Sequence, residues 1–177
     1  IIIFFQILLP SQPIQQANIE TNESLEPATS INEQNNLIAE EIKSRDEVLN
    51  STDRITFTNS SIKGSINLKG GLIDDLILLK YKTSLQPDSN NIQLLLPDQT
   101  ANPYYIETGW LEYNNSNVNL PNSETNWNAD SKTLSPSNSV TLSWTNDENI
   151  TFKIIYSVDK EYMFTIDQEV INNRDGV

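Results

Sequence analysis

Asp74 and Asp75 are the first residues in this chain to suggest chemistry, because paired carboxylates can pass a proton or hold a cation. They lie inside Leu72 to Tyr81, an otherwise apolar run apart from Lys80 that reads as an inner strand. Neighbouring strand residues point to opposite faces, so this spacing predicts two carboxylates that diverge and share no site. Asp147 and Glu148 fall within Asn146-Asp147-Glu148-Asn149, where such residues form turns. No stretch carries the alternating oxygen ligands of a calcium loop. Gly70-Gly71 lacks both phosphate-loop spacings and a following helix, and reads as a strand-to-strand turn.

The chain has no His and no Cys. That excludes Ser-His-Asp and Cys-His catalysis, imidazole metal ligation and the usual base poised near neutral pH. Redox compartment cannot be read without Cys. No residue is therefore expected to be catalytic, cofactor-binding or metal-ligating, and the chain is not expected to be an enzyme. Asn22, Asn50, Asn59, Asn114 and Asn149 each begin Asn-x-Ser/Thr, but a chain this rich in Asn, Ser and Thr matches by chance. Trp110, Trp127, Trp144, Tyr104, Tyr105 and Tyr113 could line a sugar or peptide groove. At strand spacing, as at Trp144, the expectation is core packing.

These residues need a scaffold, and the pattern supplies strands. Ile55 and Phe57 alternate with Thr56 and Thr58. Ile62, Ile66 and Leu68 oppose Lys63, Ser65, Asn67 and Lys69. Val140, Leu142 and Trp144 alternate with Thr141, Ser143 and Thr145; Ile150, Phe152, Ile154 and Tyr156 with Thr151, Lys153, Ile155 and Ser157; and Tyr162, Phe164 and Ile166 with Met163, Thr165 and Asp167. A period of two predicts strands with one face on a core and one in water. Short polar connectors at 146–149 and 158–161 join the last three strands into a meander. Ser84 to Asn91 and Asn114 to Ser123 read as loops. No helical pattern interleaves with the strands, which excludes a parallel α/β sheet. The expected fold is mainly β: an incomplete antiparallel β-sandwich over residues 54–177.

Upstream, Ile1 to Leu9 is apolar except for Gln6 and stops at Pro10. Nine helical residues rise about 14 Å, short of the roughly 30 Å of a bilayer core. The run reads as the distal end of a membrane helix (residues 1–10) rather than a buried strand, since a long polar stretch follows instead of a turn. The chain opens at Ile1 without Met, which suits a piece of a longer product. Residues 11–53 read as a flexible tether, with a short helix suggested by Leu37, Ile38 and Ile42 and the pair Glu40 and Lys43. The absence of Lys or Arg before Lys43 suits a non-cytoplasmic flank. Eleven Lys and Arg against 24 Asp and Glu give −13, so nucleic acid is excluded as a partner. An anionic bilayer surface would also repel the chain unless another segment anchors it.

One stretch is more specific. Arg54-Ile-Thr-Phe-Thr-Asn, Ile62-Lys-Gly-Ser-Ile-Asn-Leu-Lys-Gly-Gly-Leu-Ile-Asp-Asp-Leu-Ile-Leu and Tyr81 resemble the opening of the periplasmic domain of YidC-type membrane protein insertases. Ile92-Gln-Leu-Leu-Leu-Pro follows, and Tyr104-Tyr105-Ile106-Glu107-Thr108-Gly109-Trp110 is similar to the alphaproteobacterial branch. The resemblance implies a β-supersandwich carried between the first two helices of a multi-pass inner-membrane protein, with residues 11–177 periplasmic. It implies a protein that inserts and helps fold inner-membrane proteins, alone or with the Sec translocon. Nascent inner-membrane proteins and Sec components would be its partners, without cofactors. Insertion in that family is attributed to later helices, beyond Val177, so no family site residue maps here. The competing reading is a carbohydrate-binding or mutarotase-like sandwich, but mutarotase chemistry wants His. A lipoprotein-like adhesion domain would want a lipobox Cys.

Overall fold

The computed structural model describes residues 42–114 and 117–174. The run 1–10 and the helical residues Leu37, Ile38 and Glu40 lie outside the described residues. Among the described residues, nine strands and one short helix follow in chain order: α1 (Arg45–Leu49), β1 (Arg54–Thr58), β2 (Ile62–Asn67), β3 (Leu72–Lys82), β4 (Asn91–Leu95), β5 (Asn128–Ala129), β6 (Thr133–Leu134), β7 (Val140–Thr145), β8 (Ile150–Val158) and β9 (Phe164–Asn172). They form a five-stranded sheet ordered β4-β3-β2-β1-β6 and a four-stranded sheet ordered β5-β7-β8-β9.

Alternation decides which faces meet. β8 buries Ile150, Phe152, Ile154, Tyr156 and Val158 and leaves the residues between them half-exposed, as a one-sided strand should. Ile55 and Phe57 of β1, Ile66 of β2 and Ile73 of β3 belong to the same continuous core as Val140 and Leu142 of β7. The two sheets therefore close on one apolar layer, as expected of a sandwich. Each such side chain contributes about 1.5–3 kcal/mol on full burial. Phe57 reaches across to Phe164 with ring centroids 5.1 Å apart, edge to face. Tyr156 crosses further, and its hydroxyl donates to the Gly71 carbonyl at 2.7 Å.

The meander β7-β8-β9 and the interior position of β3, between β2 and β4, match the sequence pattern. Gly70 and Gly71 take φ of 76° and 70° in the β2-to-β3 turn, a conformation that side chains resist. Asn149 takes φ of 61° in the β7-to-β8 turn. That turn is held by Asn146, whose Oδ1 accepts from the Glu148 and Ile150 amides.

Four details depart from the pattern. β6 runs parallel to β1, pairing Thr56 with Thr133 and Phe57 with Leu134, because the chain crosses between sheets twice in the short span from β5 to β7. Tyr162 lies before β9, in the turn, and remains 38% exposed instead of facing the core. The polar face of β2 is not in water: Ser65 and Asn67 are buried. The described helix starts later than the apolar spacing suggests. Ile42 precedes it at 70% exposure, and only Val48 is buried. What sets the helix start is a capping box, in which Ser44 accepts from the Glu47 amide while the Glu47 carboxylate accepts from the Ser44 amide.

Candidate functional site

The buried polar face of β2 is the first place where reactive groups gather. β2 and β3 pair Ser65 with Asp75 but Ile66 with Ile73, so Asp74 is one extra residue on β3. Such a bulge breaks strict alternation and re-aims side chains. It corrects the expectation that the two carboxylates diverge. Both are buried in a single network: the Arg54 guanidinium pairs with Asp74 and donates from Nε to Ser65 Oγ at 2.8 Å. Ser65 Oγ in turn donates to Asp75 Oδ2 at 2.8 Å, and Arg45 of α1 donates to Asp75 Oδ1 from Nε at 3.0 Å and from a terminal nitrogen at 2.5 Å. Gly64 makes the close approach possible, since a Cβ there would strike the Asp75 carbonyl and sit 2.7 Å from Phe57 Cζ.

Burial pushes the Asp74 carboxyl above its ordinary range, while the Arg54 charge pulls the other way. The carboxylates are thus matched by two guanidiniums and a hydroxyl. A general base needs a lone pair facing a substrate, and a cation site needs ligands not already neutralised. Among the described residues, no three acidic side chains come together to hold a metal. The cluster pins α1 to the sheet and offers no reacting atom. Sequence reasoning passed over Arg45, Arg54 and Ser65. The signal was present: two carboxylates inside an apolar strand require counterions, and these are the only Arg residues before Arg174.

The second place is aromatic. Trp127, 5% exposed, belongs to the core. Trp110 lies 6.1 Å from it, and also 5.2 Å from Phe152 in an edge-on contact, while the Trp144 ring lies tilted 5.8 Å from Phe152. Beside the Trp110–Trp127 pair opens a cleft of about 590 Å³, bounded by Thr108, Gly109, Leu111, Asn122 and Ser123. Trp127 Nε1 and Thr108 Oγ1 are buried there without hydrogen-bond partners. Trp110 and Leu111 also line a neighbouring apolar groove, of about 370 Å³, with Val118, Leu120 and Phe152. Tyr113 also lines this second groove, while Tyr104 and Tyr105 are exposed and line neither the cleft nor the groove. This arrangement can receive an apolar side chain or ring. The carboxylate on the cleft wall is that of Glu107, with the Thr108 and Ser123 hydroxyls beside it.

The remaining candidates are structural. Asp147 accepts from Asn119, and Glu148 accepts from Asn119 and Arg174. Asn59 spends its amide on the Asp159 and Glu161 carbonyls, Asn149 on the Asn173 carbonyl, and Asn50 caps α1. Asn22 lies outside the described residues. No helix among the described residues is long and apolar enough to cross a membrane.

Comparison with known proteins agrees with the strand pattern. Residues 54–176 match the family model of the YidC periplasmic domain. The chain is 38% identical over 180 residues to the membrane protein insertase YidC of Rickettsia rickettsii (strain Iowa), covering 96% of this chain and 30% of that protein. It is 49% identical over 122 residues to the protein of the same name from Rickettsia typhi, covering 69% and 22% respectively. For Rickettsia bellii the figures are 44% over 120 residues, 68% and 21%. The chain therefore spans under a third of the length of these relatives.

Proposed function

Since the chain belongs to the YidC family, through its periplasmic domain, we propose that it serves a bacterial inner-membrane insertase as an accessory binding module. Nascent inner-membrane proteins are the clients of the whole protein, Sec translocon components are partners of this region, and insertion takes place in membrane helices outside these residues. The flanks follow the same reading: residues 1–10 end a membrane anchor, 11–53 tether the domain, and 54–177 lie in the periplasm.

The observation that carries this is the fate of the carboxylates. Asp74 and Asp75, the paired carboxylates inside β3, are consumed by Arg54, Ser65 and Arg45. What remains open to a partner is an apolar cleft beside Trp110 and Trp127. Binding without turnover suits that surface, and a non-catalytic role suits the missing His and Cys.

Deleting residues 54–177 from the full-length protein, with the anchor joined to the next helix by a flexible linker, tests the reading. Insertion of a small Sec-independent client should largely survive. Collapse of insertion, with the shortened protein still accumulating in the membrane, would show that this domain handles the client directly.

A further inference from the structure

The turn between β8 and β9 is fixed to the turn between β1 and β2. Asn59 Nδ2 donates to the Asp159 and Glu161 carbonyls at 2.9 and 3.0 Å, and Ser60 Oγ donates to the Lys160 carbonyl at 3.0 Å. The Asp159 carboxylate is itself occupied, accepting from the Glu161 and Met163 amides. On this rigid end stand side chains that a soluble surface does not need. Leu85 is fully exposed in the β3-to-β4 loop, Met163 is 66% exposed, and Tyr81 is 52% exposed with its ring 6.1 Å from Tyr162. Lys80 Nζ lies 5.9 Å from the Tyr162 ring.

We propose that this end of the sandwich, formed by Lys80, Tyr81, Leu85, Lys160, Tyr162 and Met163, rests on the phosphate and glycerol layer of a phospholipid bilayer. Tyr rings beside Lys are the composition of the membrane–water boundary, where the ring sits at headgroup depth and the ammonium reaches phosphate. Leu85 and Met163 supply the apolar contact that buries shallowly at that boundary. The net charge of −13 does not forbid this, because it is not uniform. Lys63, Lys80, Lys82 and Lys160, four of the eleven cations, gather at this end. The carboxylates carried by the adjoining loop and turn are Asp88, Glu161 and the already engaged Asp159. An acidic body with a Lys-bearing apolar end is turned by an anionic surface: the body is repelled and the end attracted, so the two forces set one orientation. These side chains stand on the end of β3, the β3-to-β4 loop and the β8-to-β9 turn.

The inference goes beyond the accessory role and does not depend on it. The full-length protein is reconstituted into vesicles of phosphatidylglycerol and phosphatidylethanolamine, carrying single-Cys substitutions labelled with an environment-sensitive fluorophore. The 177 residues contain no Cys, and any elsewhere is replaced by Ser. Leu85→Cys and Met163→Cys mark the proposed contact, and Asp147→Cys marks the opposite end of β8. All three are turn or loop positions with exposed side chains, so labelling leaves the core intact. Brominated lipid should quench the first two labels at least about twofold more than the third, as expected of shallow insertion. Lys80→Glu with Lys160→Glu should erase that difference, and the Arg versions should keep it. Equal quenching at all three sites, or none at any, overturns the proposal. So does protection of Leu85 and Met163 labels that arises only when a second protein is co-reconstituted, which would make this end a protein-docking surface.

Discussion

Asp74 and Asp75 are adjacent in sequence and buried in the same cluster, joined through Arg54 and Ser65, because the β3 bulge aims both carboxylates into it. Arg54 is itself 7% exposed at its side chain, so the pair is dry on both sides. Removing one partner leaves an uncompensated buried charge, whereas removing both leaves none. Arg54→Ala is therefore expected to cost about 3–5 kcal/mol in urea unfolding. The double change Arg54→Met with Asp74→Leu should cost clearly less than Arg54→Ala alone. A double variant worse than the single would mean that the pair itself stabilises the fold.

The same burial sets a pH dependence of unusual sign. The Asp74 carboxyl is raised above 3.8, mainly by burial. The folded state then holds the proton more tightly than the unfolded chain. This group's contribution to stability falls as pH rises from 3.8 through its folded value, and recovers as pH falls. Relative to Asp74→Asn, which does not titrate, the native protein should gain stability on mild acidification. Loss of relative stability in that window would show that Arg54, not burial, governs the carboxyl.

Two glycines of the family-like stretch make opposite predictions. A Cβ at Gly64 would collide with the Asp75 backbone and the Phe57 ring, and backbone cannot step aside cheaply. Gly64→Ala is expected to cost about 3 kcal/mol, at or above the usual overpacking range, and to loosen the bulge. At Gly109 a Cβ meets nothing within 4 Å and the backbone φ is not positive. Gly109→Ala should leave the thermal midpoint nearly unchanged. Equal losses at both positions would mean that the bulge is not what requires Gly64.

These contrasts show where sequence reading worked. One-sided strands such as β8 were legible because a period of two survives any tertiary arrangement that buries one face. The sandwich followed from the same alternation. The bulge was not legible, since a run such as Leu72 to Tyr81 looks alike with or without an extra residue, and alternation then assigns Asp75 the wrong side. The parallel β1–β6 pair was missed because two-residue strands carry no period at all. Helix α1 was misplaced because the reading followed apolar spacing and passed over Ser44 and Glu47, a cap pair three residues apart. The aromatic cleft depends on Trp110 and Trp127 meeting across 16 intervening positions, which no local pattern encodes.

Tyr156 gives a prediction at the alkaline end. Its hydroxyl is buried and donates to the Gly71 carbonyl at 2.7 Å, joining β8 to the β2-to-β3 turn across the core. Tyr156→Phe deletes that bond and strands the carbonyl, for a loss of about 1–2 kcal/mol at neutral pH. Burial also pushes the phenol up to about 12 from 10.0. Between those values the unfolded chain releases the proton while the folded protein keeps it, so stability falls as pH rises through the window. The Phe variant has no such proton to lose. Its deficit should therefore shrink steadily from pH 10 upward, by roughly 1.4 kcal/mol for each unit of pH at most. The other five Tyr and the Lys residues titrate in both proteins and cancel in the difference. Denaturant unfolding of both forms at neutral pH and at two alkaline values measures it. A deficit that stays constant with pH would place the Tyr156 hydroxyl in contact with water.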